Sequence, residues 1–259
     1  MIELKDGFLD KNMRFLIEEN KIKNKNEYAI LYEFNRFLYK LSYALDGIEL
    51  TDENKYIAAS FINVHKLYQA AIILLENGFD TKFESILRQI IDLIVNILFV
   101  LKNKNNYKRI LLKEYEEQIK LLDYIDEIKM YTFVSKEILE QKKLEFEIGA
   151  EELRKQGVKS CPNTKQLCEI IEIKELYACY KHLCGFTHEG LGSVFQHTND
   201  DNGNFFIDVN PKWGDINNDS ARLINLIDVI ILDIIKKFNL DLNEEYNLFK
   251  EKFDKVYGI

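Results

Sequence analysis

Apolar residues recur every three or four positions through most of this chain, the period of an amphipathic helix. Leu9, Met13, Leu16 and Ile17 predict a peripheral helix over Leu9 to Ile22, and Leu31, Phe34, Phe37, Leu38 and Leu41 predict a second over Glu27 to Leu45. A start signal at Thr51 and Asp52 opens a third, which runs to Asn77 and stops at Gly78, a residue type suited to the left-handed conformation past a helix end. The fourth is expected to begin with a capping box of Thr81 and Glu84 and to continue through ILRQIIDLIVNILFVLK, apolar nearly all round. Such a helix belongs at the centre of a bundle, so its polar stripe of Ser85, Arg88, Asp92 and Asn96 must find partners inside the fold.

Two further segments, Tyr107 to Tyr131 and Ser135 to Gln156, alternate charged and apolar residues as surface-facing helices do. The second has little apolar content after Leu144 and is expected to protrude. At Val158 to Asn163 the chain reads VKSCPN, its clearest interruption and the place of one of its two prolines. Asn163 with Gln166 caps a short helix that leads into a longer one from Lys174, closed by glycines at 190 and 192. Ser193 to Thr198 and Asn204 to Val209, separated by NDDNG, read as a small β-hairpin. NDDNG also invites a calcium loop, but Thr198 and Val209 stand where that loop needs acids. Helices over Asn218 to Phe238 and Glu244 to Tyr257 complete the chain. The predicted fold is all-α, a multi-helix bundle with one hairpin inserted after the helix that carries His188. Residues 1–50 are expected to pack as N-terminal helices on a domain of residues 51–259, and no solenoid period is visible.

Composition narrows the partners. A formal charge of −8 over 259 residues excludes a grip on nucleic acid by the whole surface, so any RNA contact must be local or made by a dimer cleft. The start, MIELKDGFLDKN, lacks a secretory pattern, and no apolar run is expected to reach the roughly 18 to 20 residues of a bilayer span. The longest candidate, Ile90 to Leu101, carries Asp92 and Asn96. A cytoplasmic chain with no membrane partner and four reduced cysteines is therefore expected.

The densest chemistry lies at Leu176 to Gly190, LYACYKHLCGFTHEG. At about 100° per residue, Tyr177, Lys181, Cys184 and His188 share one arc, while Leu176, Tyr180, Leu183 and Thr187 share the next. His188 titrates near neutrality and can move a proton in phosphoryl or acyl transfer, and Lys181 can neutralise a phosphate beside it. Against this stands a histidine that merely caps a helix end. Arg88 and Asp92, one turn apart, read either as a structural ion pair or as a device that positions a substrate, with Glu84 a rival partner for the arginine. Cys161, Cys168, Cys179 and Cys184 with His182 and His188 supply zinc-type ligands, but no CxxC pair occurs and the helix faces diverge, so no metal is expected. His65 reads as a core or interface histidine, and His197 is uninformative. P-loop, dinucleotide and nucleophile-elbow motifs are absent.

Two signatures, Arg88-Gln-Ile-Ile-Asp92 and Tyr180-Lys-His-Leu183-Cys184-Gly-Phe-Thr-His188, resemble an uncharacterised bacterial family with an Arg-xxx-Glu helix followed by a Tyr-xx-Leu-Ser-xxx-His helix. That family is similar in turn to the HEPN superfamily of helical nucleotide-binding domains, and the resemblance spans Tyr56 to Ile235. It implies a dimeric bundle acting in toxin or antiviral defence systems, with RNA, a nucleotide or an antitoxin-like protein as partner. It further implies a metal-independent endoribonuclease, without cofactor, whose histidine assists attack by the ribose 2′-hydroxyl while a cation stabilises the charge that develops. Carried over, the histidine is His188, and Lys181 stands where arginine is expected. Asp92 replaces glutamate and Cys184 replaces serine. Arg88 is the alternative cation, and Asp92, Tyr177, Tyr180 and Cys184 are the expected substrate-binding residues. An ammonium lacks the two-pronged contact of a guanidinium, which keeps open a second class of reading: a non-catalytic module that holds a nucleotide or a partner helix. A third is a buried polar network that fixes helix register.

Overall fold

The computed structural model describes residues 4, 6–47, 51–132, 135–187, 198–201, 204–207 and 210–258. The described architecture is an all-α bundle. After a single 3-10 turn at Gly7–Leu9 come α1 (Met13–Lys23), α2 (Lys25–Ala44), α3 (Asp52–Glu76), α4 (Asp80–Lys102), α5 (Asn106–Glu127), α6 (Lys136–Lys155), α7 (Thr164–Ile170) and α8 (Lys174–Thr187). Two short strands, β1 (Thr198–Asp201) and β2 (Asn204–Ile207), precede α9 (Ile216–Lys237) and α10 (Asn243–Tyr257).

The nearly all-apolar α4 is the hub, touched by α3, α5, α7, α8 and α9. Phe83, Leu87, Ile90, Ile91, Ile94 and Ile97 are essentially sealed from solvent, and α9 meets them with Leu223, Ile227, Ile230 and Ile234. Each such side chain contributes about 1.5–3 kcal/mol by leaving water. The same core takes in α2 and α10 through Phe34, which stacks on Phe249 at 4.7 Å and meets Tyr68 edge-on at 5.5 Å. His65 of α3 is buried, with Nδ1 3.1 Å from Ser42 Oγ and Nε2 3.1 Å from Asn35 Oδ1, both on α2.

Helices α5 and α6 pair into an arm with its own small core of Leu112, Ala150 and Leu153. They approach because α6 carries Gly149 opposite Tyr115: a Cβ there would lie 2.5 Å from the ring. At the base of the arm the buried Asn106 Nδ2 donates to Phe99 O at 2.7 Å, tying α5 to α4.

Several expectations change at this level. The first helix begins at Met13, and Leu9 is 91% exposed in the preceding turn, so it belongs to no buried face. Helix α4 begins at Asp80 with Phe79 at its cap and no side-chain capping bond, and Glu84 turns instead to Arg222 of α9. The Asn163–Gln166 capping box is present. Strands β1 and β2 pair antiparallel with Thr198 opposite Ile207 and Asp201 opposite Asn204. Asp200 and Asp201, read from sequence as loop, therefore lie in the ladder, while residues 193–197 lie outside the described residues.

Among the described residues, α3 is long and apolar enough to cross a membrane by length and composition, with half of that window buried inside the fold. The sequence points instead to Ile90 to Leu101, because Ser60, Asn63, His65 and Gln69 interrupt the apolar pattern of α3.

Candidate functional site

On α4, Glu84, Arg88 and Asp92 follow at four-residue intervals and so form one stripe. Two helices read this stripe. At the level of Glu84, α9 supplies Arg222, and at the level of Arg88, α8 supplies Tyr180.

Arg88 is the group that joins α4 to α8. Its Nη2 donates to Tyr180 Oη at 3.0 Å, and its Cζ lies 5.0 Å from the centre of the Tyr180 ring. Asp92 Oδ2 is 3.6 Å from the same nitrogen, near enough to attract but outside hydrogen-bond distance. The arginine side chain is 19% exposed, and its Nε is buried without a partner among the described residues. The Tyr180 hydrogen bond, followed by the Asp92 charge and the Cys184 thiol, holds the guanidinium above its usual range despite the opposing effect of burial. Burial raises the Asp92 carboxyl above the ordinary aspartate value, against the pull of Arg88 and Lys113. Tyr177 stacks beside Tyr180 at 6.2 Å, extending the aromatic wall.

The sequence-predicted residues are thus partly reunited. Arg88, Asp92, Tyr180 and Cys184 come together, with Tyr177 alongside. Lys181 does not join them: it is exposed and makes no ion pair or hydrogen bond among the described residues. The arc that was expected to present Lys181 and Cys184 together is split, because α8 packs through Leu176 and Leu183 and leaves Cys184 on the flank nearer Arg88. His188 and His197 lie outside the described residues. Beside the junction a groove of about 450 Å³ runs between α3 and α4, lined by Asn63, Lys66, Leu67, Gln89, Asp92 and Leu93. Among the described residues no three metal-ligating side chains converge, and Cys179 is exposed while Cys184 is half-buried.

Sequence reasoning missed the second charged knot. Arg222 Nη1 and Nη2 each reach a different oxygen of Glu84 at 2.8 Å, the two-pronged geometry of a guanidinium on a carboxylate. Asp219 joins at 3.2 Å, and burial pushes its carboxyl up to about 6, against the pull of Arg222. The signal available was Arg222 itself, the only cation of α9 before Lys236, three residues after Asp219.

Chemically, the α4–α8 junction offers a guanidinium bonded to a phenol, with the Asp92 carboxylate and the Cys184 thiol beside it, next to an aromatic wall and an open groove. The fold segment that builds it, from early α3 to the second strand, is also where the chain can be compared with known sequences. Residues 54–205, more than half of the chain, match the family described as "Family of unknown function (DUF5677)". No curated protein and no solved structure matches. The helices that carry Arg88, Asp92, Tyr180 and Cys184 all fall within the matched segment, and the chain belongs to the DUF5677 family of unknown function.

Proposed function

We propose that the α4–α8 junction acts on the phosphodiester backbone of RNA as a HEPN-like endoribonuclease of the defence or toxin type. Arg88 is the phosphate-binding cation and His188 the proton-transfer residue. One observation carries this reading: Arg88 crosses from α4 to bond Tyr180 and stands beside Cys184, four residues before His188 in the sequence. A guanidinium in that position supplies the two-pronged contact that Lys181 lacks.

In this mechanism His188 takes the proton of a ribose 2′-hydroxyl, and the oxygen attacks the adjacent phosphorus. The bond to the 5′-oxygen breaks, that oxygen takes a proton from solvent water, His188 gives up to solvent the proton it took, and a 2′,3′-cyclic phosphate remains. Arg88 stabilises the charge on the non-bridging oxygens, and Tyr180 and Asp92 hold its plane. Lys181, exposed and unpaired among the described residues, adds attraction at longer range.

Cleavage of bulk RNA in the presence of a chelator is the test. The wild-type chain is expected to cleave, and His188→Ala and Arg88→Ala each to lose about 100-fold or more. An inert wild type, or a His188→Ala variant as active as wild type, removes the reading.

A second reading has its own support. Asp92 already sits 3.6 Å from Arg88, a carboxylate that an incoming phosphate must displace, which suits a module that holds a ligand without turning it over. Nucleotide-dependent increases in melting temperature without RNA cleavage would mark that alternative.

A further inference from the structure

The arm formed by α5 and α6 holds most of its cations in ion pairs. Lys113 faces Glu117, Lys143 faces Asp123 at 2.5 Å, Lys155 faces Glu151 at 2.8 Å and Arg154 faces Glu116 at 2.8 Å. Three cations at the base of the arm depart from this rule. Lys108, Arg109 and Lys159 line a pocket of about 430 Å³ with Asn105, Gln156, Gly157 and Val158, and no carboxylate lines it.

Two of these heads are positioned by neutral oxygens, which orient a cation without discharging it. Lys108 Nζ donates to Gln156 Oε1 at 2.8 Å. Arg109 Nε donates to the carbonyl of Lys159 at 3.3 Å, while its Cζ rests 5.2 Å from the Phe99 ring. Both terminal nitrogens of the guanidinium are left without a bond among the described residues. The carbonyl of Arg109 accepts from Cys161 N at 3.1 Å, so the VKSCPN loop is fastened to α5 on both sides of Ser160. That loop is the main interruption in the helical pattern, and here it closes a pocket wall. Gly157, at φ 75°, makes the turn that brings Lys159 back over the first turn of α5. The positive end of that 22-residue helix adds to the same field.

In a chain of net charge −8, three cations gathered without a counter-charge repel one another unless an anion joins them. We propose that this pocket binds a phosphoryl anion, either free or as the phosphate of a small nucleotide. The Arg109 fork takes two oxygens and Lys108 and Lys159 act as point charges on the others. The pocket is separate from the Arg88 junction and does not depend on the activity proposed there.

Calorimetric titration of the full chain at low salt, with inorganic phosphate, pyrophosphate and ADP as probes, tests this. Pyrophosphate is expected to bind, and Lys108→Gln and Lys159→Gln each to weaken it about tenfold, with Arg109→Gln weakening it further. Both lysine heads are exposed, so those two variants keep the fold even if Arg109→Gln loosens the loop. Equal affinity for ADP and pyrophosphate assigns recognition to the phosphates alone, and tighter ADP binding assigns it to a nucleotide; both support the pocket. The proposal falls if no probe binds at millimolar concentration, or if the three variants bind as wild type does. It falls equally if Arg88→Ala abolishes binding that these variants retain, since the anion would then sit at the α4–α8 junction.

Discussion

The largest single hold on Arg88 is one phenol. Removing that oxygen in Tyr180→Phe leaves Nη2 without its acceptor, beside a buried Nε that has no partner among the described residues. The expected cost is about 1–2 kcal/mol of stability, read from chemical denaturation. A variant as stable as wild type would mean that Arg88 is held by Asp92 instead. At the other charged knot the sign reverses. Asp219 ionises at about 6 in the fold against 3.8 as its ordinary value, so between those values the folded chain binds more protons than the unfolded one. Stability contributed by the protonated form is present below pH ~4 and lost as pH rises through about 6. Asp219→Asn removes that loss while Glu84 keeps its two bonds to Arg222. The substitution should stabilise the protein at pH 7 by on the order of 1 kcal/mol and flatten the pH 4–6 slope, as thermal melts at several pH values can show. A steeper slope, or a loss of stability at pH 7, would contradict this origin of the shift.

Among the elements, the helices were legible because a 3.6-residue period is local: the apolar face of α3, its start at Thr51 and its stop at Gly78 are all written within the segment. The site was legible only in part. Arg88–Asp92 lies within one helix and could be anticipated, whereas Arg88–Tyr180 and Glu84–Arg222 join positions 92 and 138 residues apart. Local capping logic also misassigned Glu84, since a distant guanidinium offers a carboxylate more than a backbone N–H does. The pairing of α5 with α6 shows a similar override. Alanine is the better helix former, yet Gly149→Ala would push a methyl group into the Tyr115 ring. The variant should destabilise the arm by about 1–2 kcal/mol, with faster amide exchange in α5 and α6 and little change in α4 or α9. In a Tyr115→Leu background the same change should become neutral or stabilising. An unchanged exchange rate in the single variant would show that the ring moves aside freely.

Across the whole molecule, a negative chain is expected to meet a polyanion only through local groups. The structure supplies such groups at the Arg88 junction, at Lys66 in the adjoining groove, at exposed Lys181, and at the base of the arm. On the RNA-binding reading proposed above, so few cationic groups mean that RNA affinity should fall gently with salt compared with a basic nucleic-acid-binding domain. The central claim is chemical: His188 and Arg88 direct a ribose 2′-hydroxyl onto its neighbouring phosphate. Incubating the chain with one RNA oligonucleotide and its fully 2′-O-methylated copy, in chelator, addresses that step directly. The account predicts cleavage of the RNA to fragments ending in 2′,3′-cyclic phosphate and an intact methylated strand. Equal cleavage of both strands, or of neither, would contradict it.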